Sequence, residues 1–281
     1  MAVVQMVSSD SLDANLEDAA RLLREASERG ATLAVLPENF AFMGATDVDR
    51  VAQAEPFAFT ADGALDADTA DSPMQRFLSE QARALDLWLV GGTVPLRTND
   101  PDRVASTSLV VDASGRLAAR YDKIHLFDVG VPGSDEQYRE SGSTVPGSDT
   151  VVVDTPAGRL GCTVCYDLRF PEQFRRMSAA GMDLVAVPAA FTAATGRAHW
   201  QTLLRARAIE NLAVVAASAQ GGHHAAGRET WGHSTIIDAW GNTLVELGTG
   251  AGVGVATVDF AQQDAVRQRF PALSHRRFQV Q

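Results

Sequence analysis

Two kinds of hydrophobic run alternate along this chain. Short continuous apolar stretches, of the sort that make strands buried on both faces, recur at residues 2–7, 32–36, 88–95, 183–188 and 212–218. Between them lie stretches with the three-to-four-residue apolar spacing of amphipathic helices. The first carries Leu16, Ala19, Ala20, Leu22 and Leu23. Asp13 or Asn15 is expected to cap it, and Gly30 to close it in the left-handed C-terminal role. Ser72-Pro73-Met74-Gln75 reads as a capping box with proline in the first turn, opening a helix to about Leu85. Pro171 opens another that Gly181 closes, and residues 198–210 make a further one.

Three hairpins are expected where β-rich runs flank turn residues. They join 105–112 to 117–124 through Ala113-Ser114-Gly115, 150–155 to 159–164 through Pro156-Ala157-Gly158, and 235–239 to 243–247 through Trp240-Gly241-Asn242. A late strand over 252–259 precedes a basic tail. Residues 44–71 are acidic, alanine-rich and weakly periodic, so a loop with at most one short helix is expected there. Residues 127–149 show no period at all, and a structureless loop that long inside a compact domain is often functional. Neither a repeat nor a low-complexity linker interrupts residues 1–281. A single domain is therefore expected, with two strand–helix–strand halves plus hairpins in a mixed-sheet α/β fold.

Composition narrows the function classes. A hydrophobic fraction of 46% and a charged fraction of 21% are those of a globular protein. The net charge of −11 argues against a nucleic-acid partner, which requires a basic footprint. Two cysteines cannot staple a secreted scaffold, so a reducing cytoplasm is expected. No apolar run approaches the roughly 18 residues of a membrane span, and residues 1–9 lack the basic start of a signal peptide. Of the 24 basic side chains, 23 are arginine and one, Lys123, is lysine. A base-composition bias that replaces lysine wherever arginine serves leaves a lysine only where it does not.

Three polar residues follow directly on apolar strands: Glu38 after Leu36-Pro37, Lys123 within Tyr121-Asp122-Lys123, and Cys165 after Thr163-Val164. Ligands of open α/β sheets bind beyond the carboxyl ends of strands, so a carboxylate, a cation and a thiol can converge there. The carboxylate can take the thiol proton, and the ammonium favours thiolate and stabilises an oxyanion. With Pro171 starting a helix just beyond it, Cys165 is expected at a strand-to-helix elbow, where the helix dipole lowers a thiol pKa. The alternative for a lone cysteine is a small buried hydrophobe. A redox or zinc role for Cys162-x-x-Cys165 fails on geometry. Residues three apart in a strand point to opposite faces about 10 Å apart, beyond disulfide reach. Cys162 is read as a core residue.

Leu36-Pro37-Glu38, Asp122-Lys123-Ile124-His125-Leu126-Phe127 and Cys165-Tyr166-Asp167-Leu168-Arg169-Phe170-Pro171-Glu172 resemble the three catalytic motifs of the nitrilase superfamily of carbon–nitrogen hydrolases. Flanking pieces are similar too: Tyr138-Arg139-Glu140-Ser141, Pro146-Gly147, Ala198-His199-Trp200, residues 204–211, Trp231-Gly232-His233-Ser234 and His275-Arg276-Arg277. The resemblance implies an α-β-β-α sandwich that forms homodimers and needs neither metal nor organic cofactor. It implies Glu38 as general base, Cys165 as nucleophile, and Lys123 with the Tyr166 backbone N–H as oxyanion donors. Glu140, otherwise a solvated loop charge, matches a further family glutamate that orients substrate and lysine.

The residues after the nucleophile are similar to the Nit-type amidases. In that branch the arginine four residues past the cysteine, here Arg169, holds a substrate carboxylate. A guanidinium can do so bidentately; the plain alternative is a surface ion pair. Phe191 and Thr192 are expected in the same pocket. The implied substrate is a small carboxylated amide, and two types compete. Ala219-Gln220-Gly221-Gly222-His223-His224 favours amidases of deaminated glutathione; Lys123 to Asp128 and Trp231 sit as well with ω-amidases of short monoamides such as 2-oxoglutaramate. His223 and His224 are expected to be solvated loop residues, since adjacent residues do not face one another and no third ligand completes a metal site. His125 is read as a structural hydrogen-bonder, and His199 and Trp200 as opening a helix and shaping the site. An N-acyltransferase, or a scaffold without activity on the same fold, are the remaining readings.

Overall fold

The computed structural model describes residues 1–66, 70–131 and 137–278 of the chain. Parts of the two expected loops, residues 67–69 and 132–136, and the end of the basic tail lie outside the described residues. The architecture is two mixed sheets packed face to face. In the first the strands run in the order Gly252–Val255, Ala2–Gln5, Leu33–Val35, Trp88–Val90, Val104–Val111 and Val94–Arg97, with Leu117–Asp122 also paired to Val104–Val111. In the second the order is Thr243–Glu246, Thr235–Ile237, Val214–Ala219, Leu184–Ala189, Gly158–Cys162 and Val151–Thr155. Three central strands of each sheet are parallel: Ala2–Gln5, Leu33–Val35 and Trp88–Val90 in one, Gly158–Cys162, Leu184–Ala189 and Val214–Ala219 in the other. Glu38 and Cys165 follow on from the carboxyl ends of two of these strands, Leu33–Val35 and Gly158–Cys162, and Lys123 follows the antiparallel strand Leu117–Asp122.

The layering follows from two-residue periodicity in strands that are apolar on both faces. Val3, Leu33, Val35, Val90 and Val110 join the core between the sheets. Their neighbours Ala2, Val4, Ala34, Leu89 and Val111 pack instead with Ala19, Leu22 and Leu23 of the helix Leu12–Glu28 and Phe77, Leu78 and Ala82 of the helix Pro73–Leu85. The helices Pro171–Ala179 and Ala193–Asn211 cover the second sheet through Phe174, Met177, Trp200, Leu204 and Ala208. The result is the α-β-β-α order of the expectation. One hydroxyl bridges the two sheets: Ser218 donates to the Val35 carbonyl at 2.6 Å and accepts from the Val4 N–H at 3.1 Å. Among the described residues no helix is long and apolar enough to cross a membrane.

Several local expectations are corrected. The first helix is capped by Ser11, not Asp13 or Asn15. Asn15 is buried and spends its amide on Ser9 and on the Ala41 carbonyl at 2.9 Å, which pins the segment after Glu38. The Ser72 capping box does not form. Ser72 donates to the Pro56 carbonyl, Gln75 turns to Glu55, and the Glu55 carboxylate accepts from the Met74 and Gln75 N–H groups at 2.6 and 3.2 Å. A distant carboxylate thus satisfies the orphan donors of the helix.

The expected strand 88–95 breaks at Gly91-Gly92 into Trp88–Val90 and Val94–Arg97. Gly92 has φ +54°, and a β-carbon there would run into the Pro37 carbonyl, so glycine lets the Glu38 segment pass close by. Within the expected loop 127–149, Asp128–Gly130 pairs antiparallel with Gln137–Arg139, and a 3₁₀ turn follows over Glu140–Gly142. The helix expected from 198 starts at Ala193, with Thr192 as its cap. The strand expected over 252–259 ends at Val255, and part of the expected tail is a helix, Phe260–Arg269, whose Arg267 binds Asp183 at 2.6 Å.

Candidate active site

Glu38 lies three residues beyond the strand Leu33–Val35, and both sheets fix it. Its neighbour Asn39 is left-handed, at φ 56°, with its N–H donating to Thr93 Oγ1 at 2.8 Å. From the end of the second sheet, Gln220 donates to the Glu38 and Asn39 carbonyls at 3.0 and 3.3 Å. Ser8 holds Gln220 in turn, through two bonds of 3.0 and 2.8 Å. Lys123 follows the strand Leu117–Asp122, and its backbone bonds to Ser106 and Gly147 on either side.

Cys165 opens the 3₁₀ turn Cys165–Arg169 with φ 51°, a conformation rare for a residue with a β-carbon and characteristic of functional elbows. Asp167 holds that elbow. Its buried carboxylate accepts from the Val164 N–H at 2.8 Å, the Tyr121 hydroxyl at 2.6 Å and the His125 N–H at 3.0 Å, and meets His125 Nδ1 at 2.7 Å. Tyr121 and His125 flank Lys123, so Asp167 ties the cysteine elbow to the lysine segment. His125, stacked 3.7 Å over Phe170, is the structural hydrogen-bonder expected.

The charges then meet. Lys123 Nζ lies 2.9 Å from Glu38 Oε1 and 2.9 Å from each Glu140 carboxylate oxygen. The Phe127 N–H adds a bond to Glu140 at 2.7 Å, and Arg50 stands 3.8 Å away. Lys123, Glu38 and Cys165 are only 2%, 5% and 8% exposed. Burial alone pushes the Glu38 carboxyl up, but Lys123 and hydrogen bonds from Cys165 and Lys123 outweigh it, so Glu38 sits below the ordinary carboxylate value. Burial likewise opposes the ammonium of Lys123, and the two glutamates more than reverse this.

For Cys165 the expectation is corrected. Burial, followed by the Glu38 carboxylate, pushes the thiol well above its usual range, and Lys123 and the Ala190 N–H offset this only in part. The helix begins at Pro171, one 3₁₀ turn further on, so its N-terminus does not dominate. The resting pair is therefore a thiol hydrogen-bonded to a carboxylate. Such a pair delivers a nucleophile only as the base removes its proton. Cys162, buried in the core, is pushed up to about 12 by burial and has no such partner among the described residues.

All eight residues singled out from the sequence line one cleft of about 500 Å³: Glu38, Lys123, Glu140, Cys165, Tyr166, Arg169, Phe191 and Thr192. Arg169 has no carboxylate within ion-pair distance among the described residues. It lies 5.8 Å from the Tyr166 ring and 5.1 Å from that of Phe191, and bonds His199 at 3.1 Å. His223 is exposed as expected, but His224 is not a solvated loop residue. Its ring bonds the Ser8 carbonyl at 2.8 Å and Thr230 Oγ1 at 2.6 Å.

Gln220, Asp167 and Arg228 were not legible as site residues. Gln220 carries the same signal as the motif residues, a polar side chain just past an apolar strand. Arg228, alone in a small-residue segment, carries none.

A base, a thiol, an ammonium aimed at the same space and a first-turn N–H at Tyr166 suit acyl transfer through sulfur. The family described as carbon-nitrogen hydrolase matches residues 1–268. A protein of Yersinia enterocolitica named deaminated glutathione amidase is 39% identical over 279 residues, covering 99% of this chain and 93% of its own length. One of that name from Rattus norvegicus is 36% identical over 281 residues, covering 99% and 82%. Among solved structures, the NitFhit protein of Caenorhabditis elegans superposes with a TM-score of 0.87 at 35% identity, covering 98% of this chain and 64% of that one. Nit3 of Saccharomyces cerevisiae, described as a member of branch 10 of the nitrilase superfamily, gives 0.84 at 28%, covering 99% and 96%. The chain belongs to the carbon–nitrogen hydrolase family and is an amidase.

Proposed function

We propose that the protein hydrolyses a small carboxylated amide through a thioester on Cys165. Cys165 Sγ attacks the carbonyl carbon as Glu38 takes the thiol proton. Lys123 Nζ and the Tyr166 N–H hold the oxyanion, and Glu140 keeps the ammonium in place. Collapse of the tetrahedral intermediate breaks the C–N bond, with Glu38 returning the proton to the departing nitrogen. Glu38 then deprotonates the water that releases the acid. The observation that carries this reading is Lys123 bonded to both Glu38 and Glu140, beside a cysteine whose thiol bonds Glu38.

Arg169 receives the carboxylate of the acyl half, with Phe191 and Thr192 beside it. The relatives named deaminated glutathione amidase support that compound's type of amide over the short ω-monoamides. Two free cysteines suit the reducing cytoplasm. The exposed side chains Ile209, Trp240, Leu244 and Phe270 offer apolar surface for a homodimer. An intact-mass measurement tests the chemistry. A slow amide should add its acyl mass to Cys165, and Cys165→Ala should neither gain the mass nor release amine. Amine release by the alanine variant would refute the mechanism.

A further inference from the structure

The cleft is also lined by Arg228, a cation that the reaction above does not use. The chain has 35 acidic side chains against 24 lysines and arginines, and among the described arginines that are not exposed a guanidinium without an acidic partner is unusual. Other sheltered arginines have one: Arg50 has Glu140, Arg207 has Glu210 and Arg267 has Asp183. Arg169 and Arg228 both line the cleft, and neither has one among the described residues. Among the described residues the Arg228 side chain makes one long bond, to the Ala190 carbonyl at 3.2 Å, and its buried Nε has no hydrogen-bond partner. Its guanidinium stands 5.6 Å from the Tyr138 ring. Tyr138, Phe127 and Tyr166 form a row with ring centroids 5.1 Å apart at each step. Arg228 is at the Tyr138 end and Arg169 at the Tyr166 end.

We propose that Arg228 binds a second carboxylate, carried by the amine half of the substrate, so that the scissile amide lies between two anions each with its own arginine. This rests on the hydrolytic reading given above. The side follows from the row of rings: Arg169, at the Tyr166 end, takes the carboxylate of the acyl half, which leaves the Tyr138 end and Arg228 to the amine half. Aromatic faces hold each guanidinium in the cleft while leaving N–H donors for an anion. An amine bearing a carboxylate, such as a dipeptide with a free C-terminus, meets this demand. Ammonia does not.

The test uses three amides with one acyl half, 2-oxoglutaryl: the primary amide, the cysteinylglycine conjugate, and that conjugate with its C-terminus amidated. A charge-assisted bond to the free C-terminus should give the second compound a KM about tenfold or more below that of the third. Arg228→Gln should abolish this difference and leave KM for the primary amide within about twofold, an effect too small to represent a lost hydrogen bond. Arg228→Lys should restore part of it. An unchanged ratio in Arg228→Gln, or equal losses on all three amides, would overturn the proposal. Calorimetric binding of cysteinylglycine itself keeps the two readings apart. If wild type turns over none of the amides, the hydrolytic reading fails. Binding of the dipeptide that Arg228→Gln loses still supports the carboxylate site, and binding that it keeps, or none by wild type, sinks it.

Discussion

Replacing Lys123 by arginine keeps the positive charge and removes the compact ammonium, which separates the two tasks of this residue. Nζ makes bonds of 2.9 Å to three carboxylate oxygens from a position 2% exposed. A planar fork cannot reproduce those directions while also facing an oxyanion. The cation persists, so Glu38 and Glu140 are not left as an unpaired buried pair of anions, an outcome that costs about 3–5 kcal/mol when one partner of a buried ion pair is removed. What remains is overpacking, about 1–3 kcal/mol. At about 2–4 °C per kcal/mol for a chain of this size, Tm should fall by roughly 2–12 °C. Loss of one oxyanion donor should lower kcat by about 10²–10³, some 2.7–4 kcal/mol in the transition state. Scanning fluorimetry and initial rates of amide hydrolysis measure the two effects. Lys123→Met should instead lose several kcal/mol of stability, because it removes the charge. A Lys123→Arg enzyme with kcat near that of wild type would refute the assignment of Nζ to the oxyanion.

Iodoacetamide at neutral pH should alkylate Cys165 and spare Cys162, as peptide mass mapping would show, and Glu38→Gln should slow the Cys165 reaction strongly. Equal labelling of both cysteines would contradict the base-assisted thiol. The folded state holds Glu38 below its ordinary 4.5, so over that window the unfolded chain binds a proton the folded one refuses. Stability from this group is therefore complete above about 4.5 and lost as pH falls through the folded value. The Tm gap between wild type and Glu38→Gln should narrow on acidification from pH 6 to 3, and a constant gap would remove the argument. Arg169→Ala should raise KM about tenfold or more for carboxylated amides and little for neutral ones; equal losses would make the arginine structural.

What could be read in the sequence was what local chemistry decides. Strands apolar on both faces announced the buried parallel layers, and Glu38, Lys123 and Cys165 showed themselves by following such strands or a hairpin. What long-range contacts decide could not be read. Glu55 replaces the Ser72 capping box from seventeen residues away, and Gly91-Gly92 breaks a strand because the Glu38 segment passes beside it. The helix Phe260–Arg269 buries only Gln263, so it has no apolar stripe to find. The state of the Cys165 thiol could not be read for the same reason. Proximity to a helix N-terminus is visible in sequence, while burial against a carboxylate is a property of the assembled cleft.

The lone lysine has a practical consequence for chemical labelling. Its ammonium is the only side-chain amine in the chain, and it is sealed between two glutamates at the bottom of the active cleft. Every other cationic side chain is an arginine or a histidine, which acylating reagents for amines leave largely alone. Such reagents therefore find no lysine on the folded surface. Acylation of Lys123 in the native protein would report the cleft opening, residue by residue count of one, and inactivation should follow it in direct proportion.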